Sequence, residues 1–547
     1  MIRRLLLFLT LLFFSFSHAQ NTVGTTFINE NVFNAYTLFT TNTKSFLINN
    51  CGEVVNEWNS TYSPGNAVYL LPNGNLLRAG RLNDGSSNIT FGGQGGIVEL
   101  FDWDNNLLWS YTYSSNQFRQ HHDIFPMPNG NVLILAATVM TEAEAIAKGR
   151  DPNLLTQSNL YSEQVIEVEP VGTNQGNIIW EWNAKDHLVQ DFDNLKDNFG
   201  DIALNPGKID INFLNGLNGA ANWLHFNSIQ YNEDLDQIVM SSRHLSEVYI
   251  IDHSTTTAES ATSSGGNYGK GGDLLYRWGN PQAYQQGTEA DRMLYGQHYP
   301  HFIAEGLNNE GKLMIFNNGD GRTPEYSEAI IVNPPTTAPG FYEYTPNTAF
   351  GPMSVDYSYS DQSTDPSEFY SAIVSSAQQL PNGNILICEG RQGNIFEIDV
   401  NDTIVWKYRN PVNSNTGTVD TQGDVPNPSG ILFRAIKYAP DFPAFIGRDL
   451  TPGPPIELNP DLSDCENLSV TDEDFVNLNI YPNPASNYIN INSREAIDKI
   501  ELYSILGQKV IEVKHNSTID ISAFKTGIYF VKIYAGDRTI SKKIIKK

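Results

Sequence analysis

Three copies of one short phrase limit what this chain can fold into. "LLPNGNLLRAG" from Leu70, "PMPNGNVLIL" from Pro126 and "QLPNGNILICEG" from Gln379 each read as strand, Asn-Gly turn, strand. Asn and Gly accept the positive φ angles that a tight two-residue hairpin requires. Two more strand-like segments follow each copy, and the last of them carries a tryptophan: Trp109, Trp180 or Trp406. The repeated unit is therefore a four-stranded meander.

Two further units lie behind degenerate turns. "HFNSIQYNEDLDQIVMSSR" from His225 leads to "SEVYIIDH" and "LLYRWGNP", and "QHYPHFIAEGLNNEGKLMIFNNGDGR" from Gln297 leads to "SEAIIVNPP" and "GFYEYTP". A sixth unit, Phe33 to Asn59, is short by one strand, and "GILFRAIKYAP" from Gly430 supplies one from the far end of the chain. Units that share strands between first and last predict an all-β, six-bladed β-propeller over residues 20–445, which protects its sheet edges by radial repetition. An array of sandwiches with the same strand content is the competing arrangement. "TEAEAIAKGRDPNLL" from Thr141 interrupts the period as a short helix.

The ends of the chain are different objects. Residues 1–19, with Arg3, Arg4 and an apolar run from Leu5 to Phe16, have the form of a secretory signal peptide. No later segment has the apolar length of a spanning helix. Residues 446–474 are Pro-rich and acidic and predict an exposed linker. Residues 475–547 carry 11 Lys and Arg against 6 Asp and Glu in a chain whose net charge is −27, and their short alternating segments predict a small C-terminal β-sandwich. The overall acidity argues against nucleic acid or anionic membranes as partners, since both need basic surface. Cys51, Cys388 and Cys465 permit one disulfide without indicating which two pair.

In a propeller the innermost strand of every blade faces one central channel, so equivalent positions become neighbours. Alignment on the second strand puts His122 level with Asn66 and Ser375, with His225 and His298 at the corresponding entrances of their own units. Arg81, Arg243, Arg322 and Arg391 each follow a second strand. Imidazoles and guanidinium forks at one mouth make an oxyanion site, with His122, Arg243 and Asn318 as substrate-binding candidates. Each such residue is as readily structural: a lone histidine usually satisfies a local bond, and repeat arginines brace repeat acids. His121, His187 and His253 are read as structural. A zinc site from His122, His225 and His298 is the metal alternative; the expected site holds no metal and no cofactor.

Residues 33–440 resemble the bacterial arylsulfate sulfotransferases. The resemblance rests on "HFNSI" with "SSRHLSEVYIID", "LLYRWGNP", "GQHYPHFI" with "MIFNNGDGR", and "SSAQQLPNGNILICEGRQGNIFEID". It implies sulfuryl transfer from a phenolic sulfate ester to a phenol without a nucleotide cofactor, through a sulfated histidine. It also implies that His225, His298 and Arg322 are catalytic. The family's nucleophilic histidine belongs to a later blade, where "EFYSAIVSSAQ" from Glu368 contains none. The alternatives are that His298 or His225 takes that part, that donor and acceptor react directly, or that the activity is lost. A non-catalytic surface propeller that binds sulfated or acidic glycans is the second functional reading; a cofactor-dependent dehydrogenase is a remote third. The last 70 or so residues resemble the sorting domain of the Bacteroidetes type IX secretion system, through "YPNP" from Tyr481, "GQKV" from Gly507, "TGIY" from Thr526 and the Lys-rich end. That resemblance implies export through periplasm and outer membrane, with the secretion machinery as partner and a secreted or cell-surface destination.

Overall fold

The computed structural model describes residues 21–360, 368–466, 479–493, 497–504, 509–514, 517–535 and 538–547. The signal-peptide segment lies outside them, as do residues 467–474 of the expected linker and Gly507-Gln508 of the sorting motif. The chain is all-β and divides into two compact units, Met1–Asp464 and Cys465–Lys547.

Among the described residues the first unit is built mainly from six antiparallel sheets of four or five strands, beside two two-stranded pairs. Sheet I orders Ala435–Tyr438, Tyr36–Thr41, Lys44–Ile48 and Val54–Asn59, so a strand from the end of the unit is its first member. Sheet II runs Pro64–Leu70, Leu76–Arg81, Gly96–Phe101, Leu107–Thr112, and sheet III Phe118–Pro126, Val132–Thr141, Asn159–Val171, Gln175–Asn183. Sheet IV is Phe226–Asn232, Gln237–Ser242, Glu247–Asp252, Tyr276–Trp278. Sheet V is His298–Phe302, Leu313–Asn317, Glu328–Val332, Tyr357–Tyr359. Sheet VI is Ser376–Gln379, Ile385–Glu389, Asn394–Ile398, Ile404–Arg409, with Gly24–Ile28 added as an unexpected fifth strand. The expected insertion helix is Glu142–Ala147, started by a Thr141 capping box.

The repeat turns differ from the two-residue form expected of them. Gly74, Gly130 and Gly383 have φ of 87°, 89° and 93°, and no positive φ occurs at Asn73, Asn129 or Asn382. Gly74 N donates to Leu71 O at 2.8 Å, and Leu71 N to Asn75 O at 2.8 Å. Proline sits at the second position of a type I turn, followed by a left-handed glycine, which is the three-residue hairpin. The asparagine serves through its side chain: Asn73 Oδ1 accepts from Asn75 N at 2.9 Å, as Asn129 does from Asn131 N at 3.0 Å. Sheet V also departs from expectation. "GFYEYTP" does not supply its fourth strand; Phe341–Tyr342 pairs with Thr336–Ala338 in a separate hairpin, and the ladder is completed by Tyr357–Tyr359.

Each outer strand is tied to the next sheet at one recurring place, the turn between its third and fourth strands. Trp58 Nε1 donates to Asp102 O (2.8 Å), Trp109 to Gln175 O (2.8 Å), Trp180 to Thr255 Oγ1 (3.1 Å) and Trp278 to Pro352 O (2.8 Å). Sheet V uses Tyr357 OH on Asp402 Oδ1 (2.5 Å), and Trp406 of sheet VI returns to Asn50 O of sheet I (2.7 Å). The tryptophan repeat visible in the sequence is this tie: a large apolar body packs between sheets while its N–H donates to an oxygen of the next sheet.

Residues 446–464 are anchored rather than free. Gly453 N donates to Val54 O at 2.8 Å, Pro455 bridges Glu53, and Glu457 is buried. Cys51 and Cys465 are disulfide-bonded, and Cys388 is a buried free thiol. In the second unit Asn479–Tyr481, Tyr488–Asn492 and Thr518–Asp520 form one sheet. Lys509–Lys514, Lys499–Ser504, Gly527–Ala535 and Arg538–Lys546 form another, around Ile489, Leu502, Val531 and Ile544. Among the described residues no helix is long and apolar enough to cross a membrane.

Candidate active site

At the opposite end from the PNGN turns, the first strand of successive sheets carries a residue in the left-handed region: Asn66 (φ 88°), His122 (49°), His225 (48°), Tyr299 (53°) and Ser375 (92°). In sheets II, III and V the strand register shifts at that point, and in sheet IV just after it, between Phe226 and Ser228. A bulge re-aims the side chain, and positive φ at a bulky residue is uncommon enough to need a reason. The positions aligned from the sequence thus share a backbone conformation, and two of them aim a histidine at one place.

There the rings of His122 and His225 lie 4.8 Å apart and those of His225 and His244 4.6 Å apart. Phe433, on the approach to the first strand of sheet I, packs 6.2 Å from His122 and 6.4 Å from His298. Phe91, from the loop between the second and third strands of sheet II, lies over His121, His122 and His225. His298 Nδ1 donates to Asn318 Oδ1 at 2.7 Å; the Asn318 amide is fixed because its Nδ2 donates to Ser371 O and Val374 O. Asn222 Nδ2 donates to His225 Nδ1 at 2.6 Å, which leaves the His225 proton on Nε2. His121 departs from the structural reading given to it: Nδ1 meets His122 Nδ1 at 2.9 Å and Nε2 meets Glu163 Oε2 at 2.9 Å. His187, on Asp273 and Ser260 O, and His253, on Asp236 and Glu167, stay away from the cluster as expected.

The arginines separate. Arg243 Nη2 meets Asp320 Oδ2 at 2.5 Å, and its charge acts on His122, His225, His244 and His298. Arg322 is held by residues just after it in the chain: Nη1 is 2.5 Å from Glu328 Oε2, and its guanidinium lies 3.4 Å from the centre of the Tyr326 ring. Arg81 lines a cavity of about 300 Å³ together with Asn66, Val374 and Phe433. That cavity meets the histidines at Phe433. A larger cleft of about 660 Å³ lies by the PNGN turns of sheets II and III and is lined mainly by apolar residues. Among the described residues no group of His, Cys, Asp and Glu has a metal-holding arrangement.

Burial first, then neighbouring positive charge, holds these imidazoles neutral. The His298 pKa falls to about 3 and that of His244 to about 4, with Arg243 the second cause in both; His122 and His225 lie well below 6.5 for the same kinds of reason. If these rings carry the reaction, kcat/KM for the sulfate ester should stay flat between about pH 8 and about pH 5. An acid limb centred near the ordinary histidine value of 6.5 would show that the working ring is not one of this cluster.

Gly93 is the local reason the cluster can pack. Its φ is +78°, and a Cβ there would stand 2.1 Å from His122 Nε2 and 2.3 Å from Cδ2 and Cε1. Near-equal distances place it over the face of the ring, so the in-plane lone pair of Nε2 points past it. Gly93→Ala should displace the ring and lower turnover about a hundredfold with the fold retained, read by circular dichroism beside the rate.

Residues 42–426 match the family described as Arylsulfotransferase (ASST), and residues 479–547 that described as Secretion system C-terminal sorting domain. Two curated relatives named Arylsulfate sulfotransferase AssT are similar over 230 residues, 41% of this chain: that of Escherichia coli O6:H1 at 27% identity and that of Lelliottia amnigena at 26%. The matched stretch is 37% of the length of each. The Pseudomonas aeruginosa periplasmic gluconolactonase PpgL is a similar solved structure, with TM-score 0.35 and 9% identity over 74% of this chain and 99% of its own. With most of the first unit matched, the chain belongs to the arylsulfotransferase family.

Proposed function

We propose that this protein is an exported aryl-sulfate sulfotransferase that moves a sulfuryl group from a phenolic sulfate ester to a phenol without a nucleotide. In this reading the six sheets close as a six-bladed propeller, and the site lies at the mouth opposite the PNGN turns. One observation carries it: four neutral imidazoles, His122, His225, His244 and His298, converge beside Arg243 in a chain whose net charge is −27. The repeated tie from each outer strand to the next sheet, with sheet VI returning to sheet I, supports the closure.

A sulfate ester presents three oxygens that share negative charge and an aryl oxygen that gains charge as the S–O bond breaks. Arg243 offers a guanidinium to the former. The His225 Nε2–H faces the cluster as a hydrogen-bond donor for the latter, acting as a neutral donor because its pKa is too low for an imidazolium at neutral pH. Phenolate departs and an acceptor phenolate enters, so sulfur exchanges one aryl oxygen for another and the protons are settled in solvent. Asn318 fixes His298, while Arg322 braces, through Glu328 and Tyr326, the loop that carries Asp320.

The C-terminal sorting domain implies export and a surface or secreted location. The leader at residues 1–19 and passage through a type IX system belong to the same proposal. Incubation with p-nitrophenyl sulfate and phenol should release nitrophenol in an acceptor-dependent manner. Release that ignores the acceptor means hydrolysis, and binding without release means that the site only captures sulfated ligands.

A further inference from the structure

The family's nucleophilic histidine has no counterpart in the first-strand segment of sheet VI. The left-handed position there is Ser375, whose Oγ donates to Ser371 Oγ at 2.9 Å. The hydrogen-bond chain behind His122 points to a substitute. Glu163 Oε1 accepts from Phe226 N at 3.0 Å and Oε2 faces His121 Nε2 at 2.9 Å. A carboxylate only accepts, so His121 Nε2 carries the proton and His121 Nδ1 carries a lone pair. That lone pair, 2.9 Å from His122 Nδ1, places the His122 proton on Nδ1 and leaves Nε2 bare.

We propose that Glu163, His121 and His122 form a relay that makes His122 Nε2 the atom that receives the sulfuryl group, in place of the later-blade histidine this chain lacks. The inference rests on the sulfotransferase reading. The Nε2 lone pair attacks sulfur; the N–S bond forms as the S–O bond to the aryl oxygen breaks, and the electron pair leaves with the phenolate. The ring then carries positive charge, shared through its Nδ1–H with His121 and set against the negative charge of Glu163. In the second half an acceptor phenolate attacks the same sulfur, the N–S bond breaks, and its pair returns to Nε2.

His298 is the competitor, and its surroundings suit it less. Its Nδ1 rests on a neutral amide, it makes a further hydrogen bond with the Gly296 backbone, and among the described residues no carboxylate is bonded behind it to balance a positive ring. His225 presents an N–H rather than a lone pair. Only His122 combines a bare nitrogen with a buried carboxylate at the other end of its bonds, the arrangement that sustains an imidazole through a cationic state. His122 and Glu163 are the groups that touch or charge the reaction; His121 positions the ring between them.

The test uses the full mature chain with p-nitrophenyl sulfate and no acceptor, followed by digestion and fragmentation at mildly alkaline pH. The expected result is a burst of nitrophenol and one sulfo group mapped to His122, discharged when phenol is added. His122→Asn, which tolerates the left-handed backbone, should lose the burst and slow transfer more than about a thousandfold. Glu163→Gln lets His121 turn its protons round; it should lower kcat by about 10²- to 10⁴-fold with less sulfo-His122, which a merely structural carboxylate would not do. Should either variant fail to fold, the adduct map on the unaltered chain still decides. A sulfo group on His298, His225 or His244, or transfer with no covalent adduct, overturns the relay and leaves the sulfotransferase standing. Absence of nitrophenol release with or without phenol removes the sulfotransferase reading and the relay with it.

Discussion

His225→Asn is expected to slow transfer from phenyl sulfate by about 10²- to 10³-fold in kcat, the usual cost of losing one preorganised donor to a developing oxyanion. Asparagine is chosen because position 225 has φ 48°, which Asn adopts with little strain, and because its shorter side chain withdraws the donor from the aryl oxygen. The size of the loss should depend on the leaving group. A nitrophenolate disperses its own charge and needs the donor little, whereas a simple phenolate needs it fully, so the variant should show a steeper dependence of rate on leaving-group pKa than the unaltered chain. A loss equal for all leaving groups would assign His225 to binding the sulfate or to holding His122 and His244. Rates unchanged for all of them would remove it from the site.

Much of this arrangement was legible before the structure, for one reason. Asn66, His122 and Ser375 each stand seven residues before the turn asparagine of their own PNGN copy, so the turn fixes which position takes the left-handed conformation at the other end. The two units without that turn were read less well: the insertion after Val332 hid the fourth strand of sheet V, and His298 proved to be the neighbour of its left-handed residue rather than that residue. Contacts across two strands were not legible at all. Glu163 belongs to the third strand of sheet III and His121 to the first; they meet across the intervening strand over Ala137, the residue paired with Glu163, whose small side chain leaves that face open. No spacing in a sequence encodes that meeting, so His121 looked like filler. Arg322 keeps the repeat position of Arg243, but its pairing with Glu328, six residues on, is a local contact that the repeat does not announce.

Arg434→Met should cost the first unit about 3–5 kcal/mol, because it strips the partner from a buried charge at the point where the sheets meet. Below the histidines, Arg434 Nη2 lies 2.8 Å from Asp123 Oδ2, and Nη1 lies 2.5 Å from Tyr69 OH; the guanidinium sits 3.8 Å from the centre of the Tyr299 ring. Burial works against the charge of Arg434, yet Asp123, then Tyr69 and Tyr299, push its pKa up. Asp123 also accepts from Ile124 N and Ile229 N, both at 3.1 Å, and Gln230 Nε2 donates to Tyr69 OH at 2.8 Å. One ion pair therefore gathers groups from sheets I, II, III, IV and V. Methionine fills the volume, so the loss measures the orphaned Asp123 rather than a cavity. The midpoint of thermal unfolding should drop by roughly 3–5 °C, and adding Asp123→Asn should restore much of it, since a neutral amide still accepts backbone N–H groups and leaves no lone buried charge. A single variant that melts within a degree or two of the unaltered chain would mean that the sheets hold together without this central pair, and that their packing is carried by the outer tryptophan ties alone.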